Sequence, residues 1–224
     1  MLHSLSALLT LALLAAGAPP APARVLADAE AFVPKGYRIE ARASGDLDGD
    51  GRADLSLEVV EAGPAANAEG APTERARRWL VLLAVPGSGW RQVADAGRVL
   101  FCATCGGVKS STSDRAVTQI RKGVVLVEQL RGSRETVQSL LRFRYVPAVG
   151  RMQLIGVDLT VRDTLEGTSV RHSTNLLTGA KLTERLRWDE KQERDVKVSS
   201  TATKVPARKV YAEEVDLDAL EAAP

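Results

Sequence analysis

Aromatic residues are scarce in this 224-residue chain: three Phe, three Tyr and three Trp make up 4% of it. Any core must therefore be mostly aliphatic. Histidine is scarcer still, with only His3 and His172, and cysteine is confined to Cys102 and Cys105. That leaves no donor set for a His/Cys zinc site. Neither charge dominates, since 30 Lys and Arg stand against 28 Asp and Glu. The two signs are interspersed, so no basic face is expected for nucleic acid or anionic lipid. No phosphate loop, dinucleotide fingerprint or zinc signature is present. Beyond the first residues, no apolar stretch reaches the roughly 20 residues a membrane helix needs.

What is present begins at the N-terminus. Residues 1–23 contain no Asp, Glu, Lys or Arg, and Leu5 to Ala16 is an apolar run. It breaks at Gly17 and Pro19 and ends in Ala21-Pro22-Ala23. A short apolar core followed by small residues in an A-x-A pattern reads as a secretory signal peptide. Cleavage after Ala23 would leave 201 residues, enough for one domain with a real core. The expectation is a single β-rich domain over 24–224, periplasmic or secreted, with no membrane span after cleavage.

A short helix is expected over Ala27–Phe32, stopped by Pro34. Strand patterns follow. Leu55, Leu57 and Val59 alternate with Ser56, Glu58 and Val60. WLVLLAV (79–85) is continuously apolar, ends in the turn signal PGSG and leads into WRQVADA, which predicts a hairpin. Val124–Val127, the LRFRY stretch (141–145) and Val157, Leu159 and Val161 continue the pattern, with EGT (166–168) and LTGAK (177–181) at turn positions. Residues 61–78, rich in Ala, Pro, Gly and charge, read as a mobile loop within the domain. LTERLRWDEKQER (182–194) is the one stretch with helical spacing. The fold class is therefore mainly β, an antiparallel sheet domain with one face buried, as a sandwich or an open barrel-like sheet.

The densest chemistry lies in SGDLDGDGRADL (44–55). With Asp46 as position 1, carboxylates fall at 1, 3, 5 and 9, as Asp46, Asp48, Asp50 and Asp54, and Gly51 takes position 6. This is the opening of an EF-hand loop: oxygen donors at 1, 3 and 5, a glycine at 6 for the sharp turn and a backbone carbonyl at 7, here Arg52. Position 12 is Leu57 instead of a bidentate Glu, and a strand follows instead of a helix. The all-oxygen set points to Ca2+. A metal-free Asp-Gly surface turn is the bland alternative, and Asp216 and Asp218 near the C-terminus read as solvated.

The motif D-x-D-x-D-G-x-x-D-L resembles the calcium loop of FG-GAP repeats in integrin-type β-propellers. The resemblance implies calcium on Asp46, Asp48, Asp50, the Arg52 carbonyl and Asp54. Only one such motif occurs, which disfavours a propeller and favours one calcium loop joining two strands. More widely, PKGYRIEARASGDLDGDGRADL (34–55), WLVLLAV, CATCGGV (102–108), LRFRY and IGVDL…TNLLTGAKL (155–182) resemble, in this order, a family of uncharacterised exported bacterial proteins. Its members carry one FG-GAP-like loop, a CxxCGG segment and a Leu-Thr-Gly turn. Where that family has an aromatic Gly-Gly-Ser-Trp-rich strand, this chain has LRGSRETVQS (130–139).

FCATCGG (101–107) holds Cys102 and Cys105, which should pair in an oxidising compartment. The spacing is also that of thioredoxin, but a redox motif belongs at a helix N-terminus, and Gly106-Gly107 discourages one. His172, in SVRHSTN, has Ser169 and Ser173 nearby without a nucleophile elbow; a lone strand histidine reads as structural. The functional expectation is a non-catalytic, calcium-binding envelope domain with a protein or glycan partner. The alternative is a calcium-stabilised secreted hydrolase acting through Asp and Glu carboxylates.

Overall fold

The computed structural model describes residues 24–107 and 117–222. The expected signal peptide, residues 1–23, lies outside them, as does Val108 at the end of CATCGGV. Among the described residues the strands form two antiparallel sheets and no closed barrel, a β sandwich. The first sheet comprises β1 (Val25–Leu26), β2 (Tyr37–Gly45), β3 (Asp54–Glu61), β4 (Arg77–Val85) and β5 (Gly89–Ala96), in the order β1-β5-β4-β3-β2. The second is a meander of β6 (Val117–Arg121), β7 (Val124–Gly132), β8 (Glu135–Val146), β9 (Arg151–Asp163), β10 (Thr168–Asn175), β11 (Ala180–Asp189) and β12 (Arg194–Lys204). β13 (Val210–Tyr211) pairs with the start of β9, and α1 (Leu217–Ala222) follows.

The continuous apolar run of β4 has a direct cause: both of its faces are buried. Trp79, Val81 and Leu83 point into the main core with Val125, Val127, Leu141 and Phe143 of the second sheet. Leu80 and Leu82 point the other way, into a smaller core with Leu57, Val59, Ala29 and Phe32. A strand buried on both sides reads as an unbroken hydrophobic run. The expected helix over Ala27–Phe32 is a single 3-10 turn, Ala29–Phe32, which closes this second core. The Asp28 carboxylate caps it by accepting the Glu30 N–H at 3.1 Å.

The one-face expectation fails for β3 for the same reason. Its polar residues Asp54, Ser56 and Glu58 are as buried as its apolar ones, because they face the second sheet. Each of these three side chains has a hydrogen-bond partner, as burial demands. Trp79 Nε1 donates to Ser56 Oγ at 2.8 Å, and Glu58 Oε1 accepts the Thr118 N–H and hydroxyl at 2.9 and 3.0 Å. Trp79 also packs on Phe143, with ring centroids 4.6 Å apart, which joins the two sheets at their centre. A register shift in β2 leaves Glu40 between the paired residues Ile39 and Ala41. Glu40 then forms a bidentate pair with Arg77, at 2.6 and 2.9 Å.

LTERLRWDEKQER is not a helix. It forms β11 and the turn into β12. Strands β10 and β12 pair along both edges of β11, so its backbone groups are satisfied in the sheet. The charges at near-helical spacing instead work across strands: Glu184 binds Arg171 of β10 and Lys197 of β12. The connection within 61–78 is shorter than expected, since β3 continues to Glu61 and β4 begins at Arg77. Its turn is organised by Asn67, whose side-chain oxygen accepts the Glu69 and Ala71 N–H groups at 3.1 and 2.8 Å.

Candidate metal centre

The aspartate-rich segment is the hairpin connection between β2 and β3, with Gly45 opposite Asp54 in the register. The chain turns sharply because Gly49 and Gly51 have φ of +84° and +82°, a region most side chains avoid. Leu47, the loop's one large apolar residue, is buried in the main core. Gly45 lies against Ile120: a Cβ there would stand 2.7 Å from its Cγ2. The loop is thus seated on the β6–β7 hairpin.

Asp46, Asp48 and Asp50 offer one carboxylate oxygen each, all within 4.8 Å of one another. Two oxygens bound to one calcium at about 2.4 Å each stand at most roughly 4.8 Å apart, so this trio can share an ion. No nitrogen or sulfur donor joins it, which suits a hard cation. The loop's own N–H groups orient the carboxylates. Asp46, half-buried, accepts Gly49 N–H at 2.7 Å and Gly51 N–H at 3.0 Å; these bonds hold its pKa below the ordinary carboxylate value. Asp48 accepts Asp50 N–H at 3.2 Å, and Asp50 accepts Arg52 N–H at 2.8 Å while pairing with the Arg52 guanidinium.

Asp54 sits apart from the trio, fully buried at the start of β3. Its oxygens accept Leu47 N–H at 2.7 Å and Ala84 N–H at 2.9 Å. Burial pushes its pKa up, against the two N–H bonds, and the negative charges of Asp48 and Asp50 add to the rise. Asp54 therefore ties the loop to β4. Beside the loop lies a broad, open depression of about 760 Å³, whose lining includes Asp46, Asp48, Lys122, Arg144 and Tyr145.

Cys102 and Cys105 are disulfide-bonded, with Cα atoms 5.1 Å apart. They lie in the connection leaving β5. Thr104 Oγ1 donates to Thr73 O at 3.0 Å, Ala103 N–H to Arg75 O at 2.9 Å, and Gly132 N–H to Gly106 O at 2.8 Å. The Gly132 contact is at the end of β7, whereas the aspartate loop abuts its beginning. Strand rise over β7 separates the two by roughly 27 Å, so they are not parts of one site. His172 lies on β10, its Nδ1 3.1 Å from Thr183 Oγ1. Burial, then the charges of Lys181 and Arg185, push its pKa down. The nearby Ser173 donates instead to Asp158, at 2.6 Å, so no Ser-His pair forms there. Asp216 and Asp218 pair with Arg98 and Arg131.

Residue-by-residue reading missed a cavity of about 240 Å³ on the core-facing side of β9–β11, between Leu159, His172 and Lys181 and the segment 205–208. Its walls come from parts of the chain far apart in sequence, and His172 was the one signal available. No helix among the described residues is long and apolar enough to cross a membrane. No family model, curated protein or solved structure matches the chain.

Proposed function

We propose that the chain is an exported β-domain that binds calcium at Asp46, Asp48 and Asp50 and acts by binding or structural support instead of catalysis. The convergence of three carboxylate oxygens within 4.8 Å carries this reading. The Arg52 carbonyl joins the proposed donor set, and Asp54 joins it if the ion draws this buried carboxylate toward the trio. Each Asp54 oxygen accepts one N–H and keeps a second lone pair. Waters supply the remainder of the six to eight oxygens calcium takes. The ion would relieve the repulsion among the carboxylates and draw Asp50 away from Arg52.

The proposed compartment is the periplasm or the exterior, where calcium is plentiful and the Cys102–Cys105 bond persists. The partner is an envelope protein or a glycan. The geometry speaks against the hydrolase alternative. The acids that line the depression beside the loop are Asp46 and Asp48, the same carboxylates proposed to hold the ion.

Affinity typical of extracellular modules, on the order of 10⁻⁴–10⁻³ M, is expected. Calcium at ten times its dissociation constant would stabilise by about 1.4 kcal/mol, which is about 3–6 °C in the melting midpoint for a domain of this size. Thermal melts in calcium and in EGTA test this, with Asp46→Asn and Asp48→Asn as controls that abolish the shift. Equal midpoints in calcium and EGTA would reject the reading, and an equal shift with magnesium would reject calcium as the preferred ion.

A further inference from the structure

The core-facing side of the outer strands differs from their opposite side in one chemical respect. On the outward side, charges are paired: Arg142 with Asp158 at 2.7 Å, Arg171 and Lys197 with Glu184, and Arg162 with Asp195. Strand alternation sends the neighbours of these acids to the other side. There Val157, Leu159 and His172 line the 240 Å³ cavity, with Leu176 and Leu220 completing its apolar surface. Its charged lining residues are Lys181 and Arg208, and no carboxylate lines it. Neither cation has an ion-pair partner among the described residues. Arg185, at the register shift between β11 and β12, adds a third positive charge that acts on His172.

The wall opposite the sheet is held in place by backbone. Val205 N–H donates to Gly179 O at 2.8 Å, and Arg208 N–H donates to Leu176 O at 3.1 Å. Gly179, at φ +73°, lies so close to this strap that a Cβ would meet Val205 O at 1.9 Å. The cavity is therefore formed without a ligand, as small-molecule sites usually are.

We propose that this cavity binds a free medium-chain carboxylate, its alkyl chain on Val157, Leu159, Leu176 and Leu220 and its carboxylate at the rim between Lys181 and Arg208. Two features select this class. The apolar lining favours a hydrocarbon, and two unpaired cations with no opposing acid favour an anionic head. The volume sets the length: at roughly 30 Å³ per water-sized group, 240 Å³ holds about eight groups. Eight-carbon chains should fit, and much longer ones should protrude. Calcium plays no part in this contact.

The test is a titration of the protein with octanoate in EGTA, followed by calorimetry and by the ring resonances of His172. Octanoate should saturate a single site and shift those resonances. Octyltrimethylammonium should bind at least tenfold more weakly. Lys181→Gln with Arg208→Gln should weaken octanoate at least tenfold. Lys181→Glu with Arg208→Glu should reverse the preference toward the cationic amphiphile, a gain that misfolding does not produce. Equal binding of both amphiphiles, undiminished octanoate binding by the Gln pair, or binding to phosphatidylglycerol vesicles without binding of monomeric octanoate would each overturn the proposal.

Discussion

The inner strands of the first sheet and the outer strands of the second are built from the same alternating backbone but live in different solvents. β3 and β4 are buried on both faces, and even Asp54, Ser56 and Glu58 are removed from water. β12, by contrast, is exposed along nearly its whole length. The difference lies in what covers them. The second sheet and the Ala29–Phe32 turn enclose β3 and β4. Past β9 the second sheet extends beyond this cover, and its charged residues pair across strands instead of packing. Buried polar groups in the first region must each find a partner in one geometry, whereas pairs in the second that keep one partner in water, as Glu184 does with Arg171 and Lys197, gain less from pairing.

The strongest way to break this comparison is to exchange a tryptophan for alanine in each region. Trp79→Ala removes a fully buried ring, its packing on Phe143 and its bond to Ser56. It should cost about 3–5 kcal/mol in urea denaturation. Trp188, 44% exposed on β11, should cost less than about 0.5 kcal/mol on the same change. Similar losses at the two positions would mean that the outer strands are as tightly packed as the inner ones.

A smaller effect is expected at the disulfide, which joins residues three apart. Closing so short a loop stabilises by about 2 kcal/mol on the chain-entropy model. Cys102→Ser with Cys105→Ser should lower the unfolding free energy measured in urea by that amount and leave calcium's stabilising effect in place. A coincident loss of the calcium effect would show that the two ends of β7 are coupled. The smallest effect belongs to α1, which bounds the uncovered region. Burial pushes Glu221 up to about 7 despite its pairing with Arg131. A carboxyl raised in the folded state stabilises below its ordinary pKa, and that contribution is lost as pH rises through the folded value. Stability should therefore fall between pH 4.5 and 7 from this group. A helix of only six residues can open locally and expose the group, which limits the loss to on the order of 1 kcal/mol. Glu221→Gln should flatten this part of the pH profile.

Much of this architecture was legible in the residues. Alternation located the strands, Gly-bearing turns located the hairpins, and the spacing of Asp46, Asp48 and Asp50 located the loop that brings their oxygens together. Layering was not legible, because alternation at Ser56 and Glu58 records which side a residue faces without recording what lies there. LTERLR misled because Glu184 and its neighbours fit a helix face as well as a strand ladder, and only β10 and β12 decide between them. Asp54 has the spacing of a ligand, but its two bonds to backbone N–H groups depend on where β4 and Leu47 come to lie. The cavity was hidden for a related reason: Leu159, Lys181, Arg208 and Leu220 become neighbours only after the sheet has formed.

The meander order has a consequence for how such a chain reaches its folded state. From β2 to β5, and again from β6 to β12, each strand pairs with the one made just before it. Apart from the 62–76 connection between β3 and β4, each new pairing closes eight residues or fewer, so its entropic cost is small. Long-range search is confined to a few late events: docking β1 on β5, β13 on β9, and closing Glu58 onto Thr118 and Trp79 onto Phe143. A chain delivered unfolded from its N-terminal end can then zip each sheet from its own hairpins as it emerges, leaving one collapse to complete the domain.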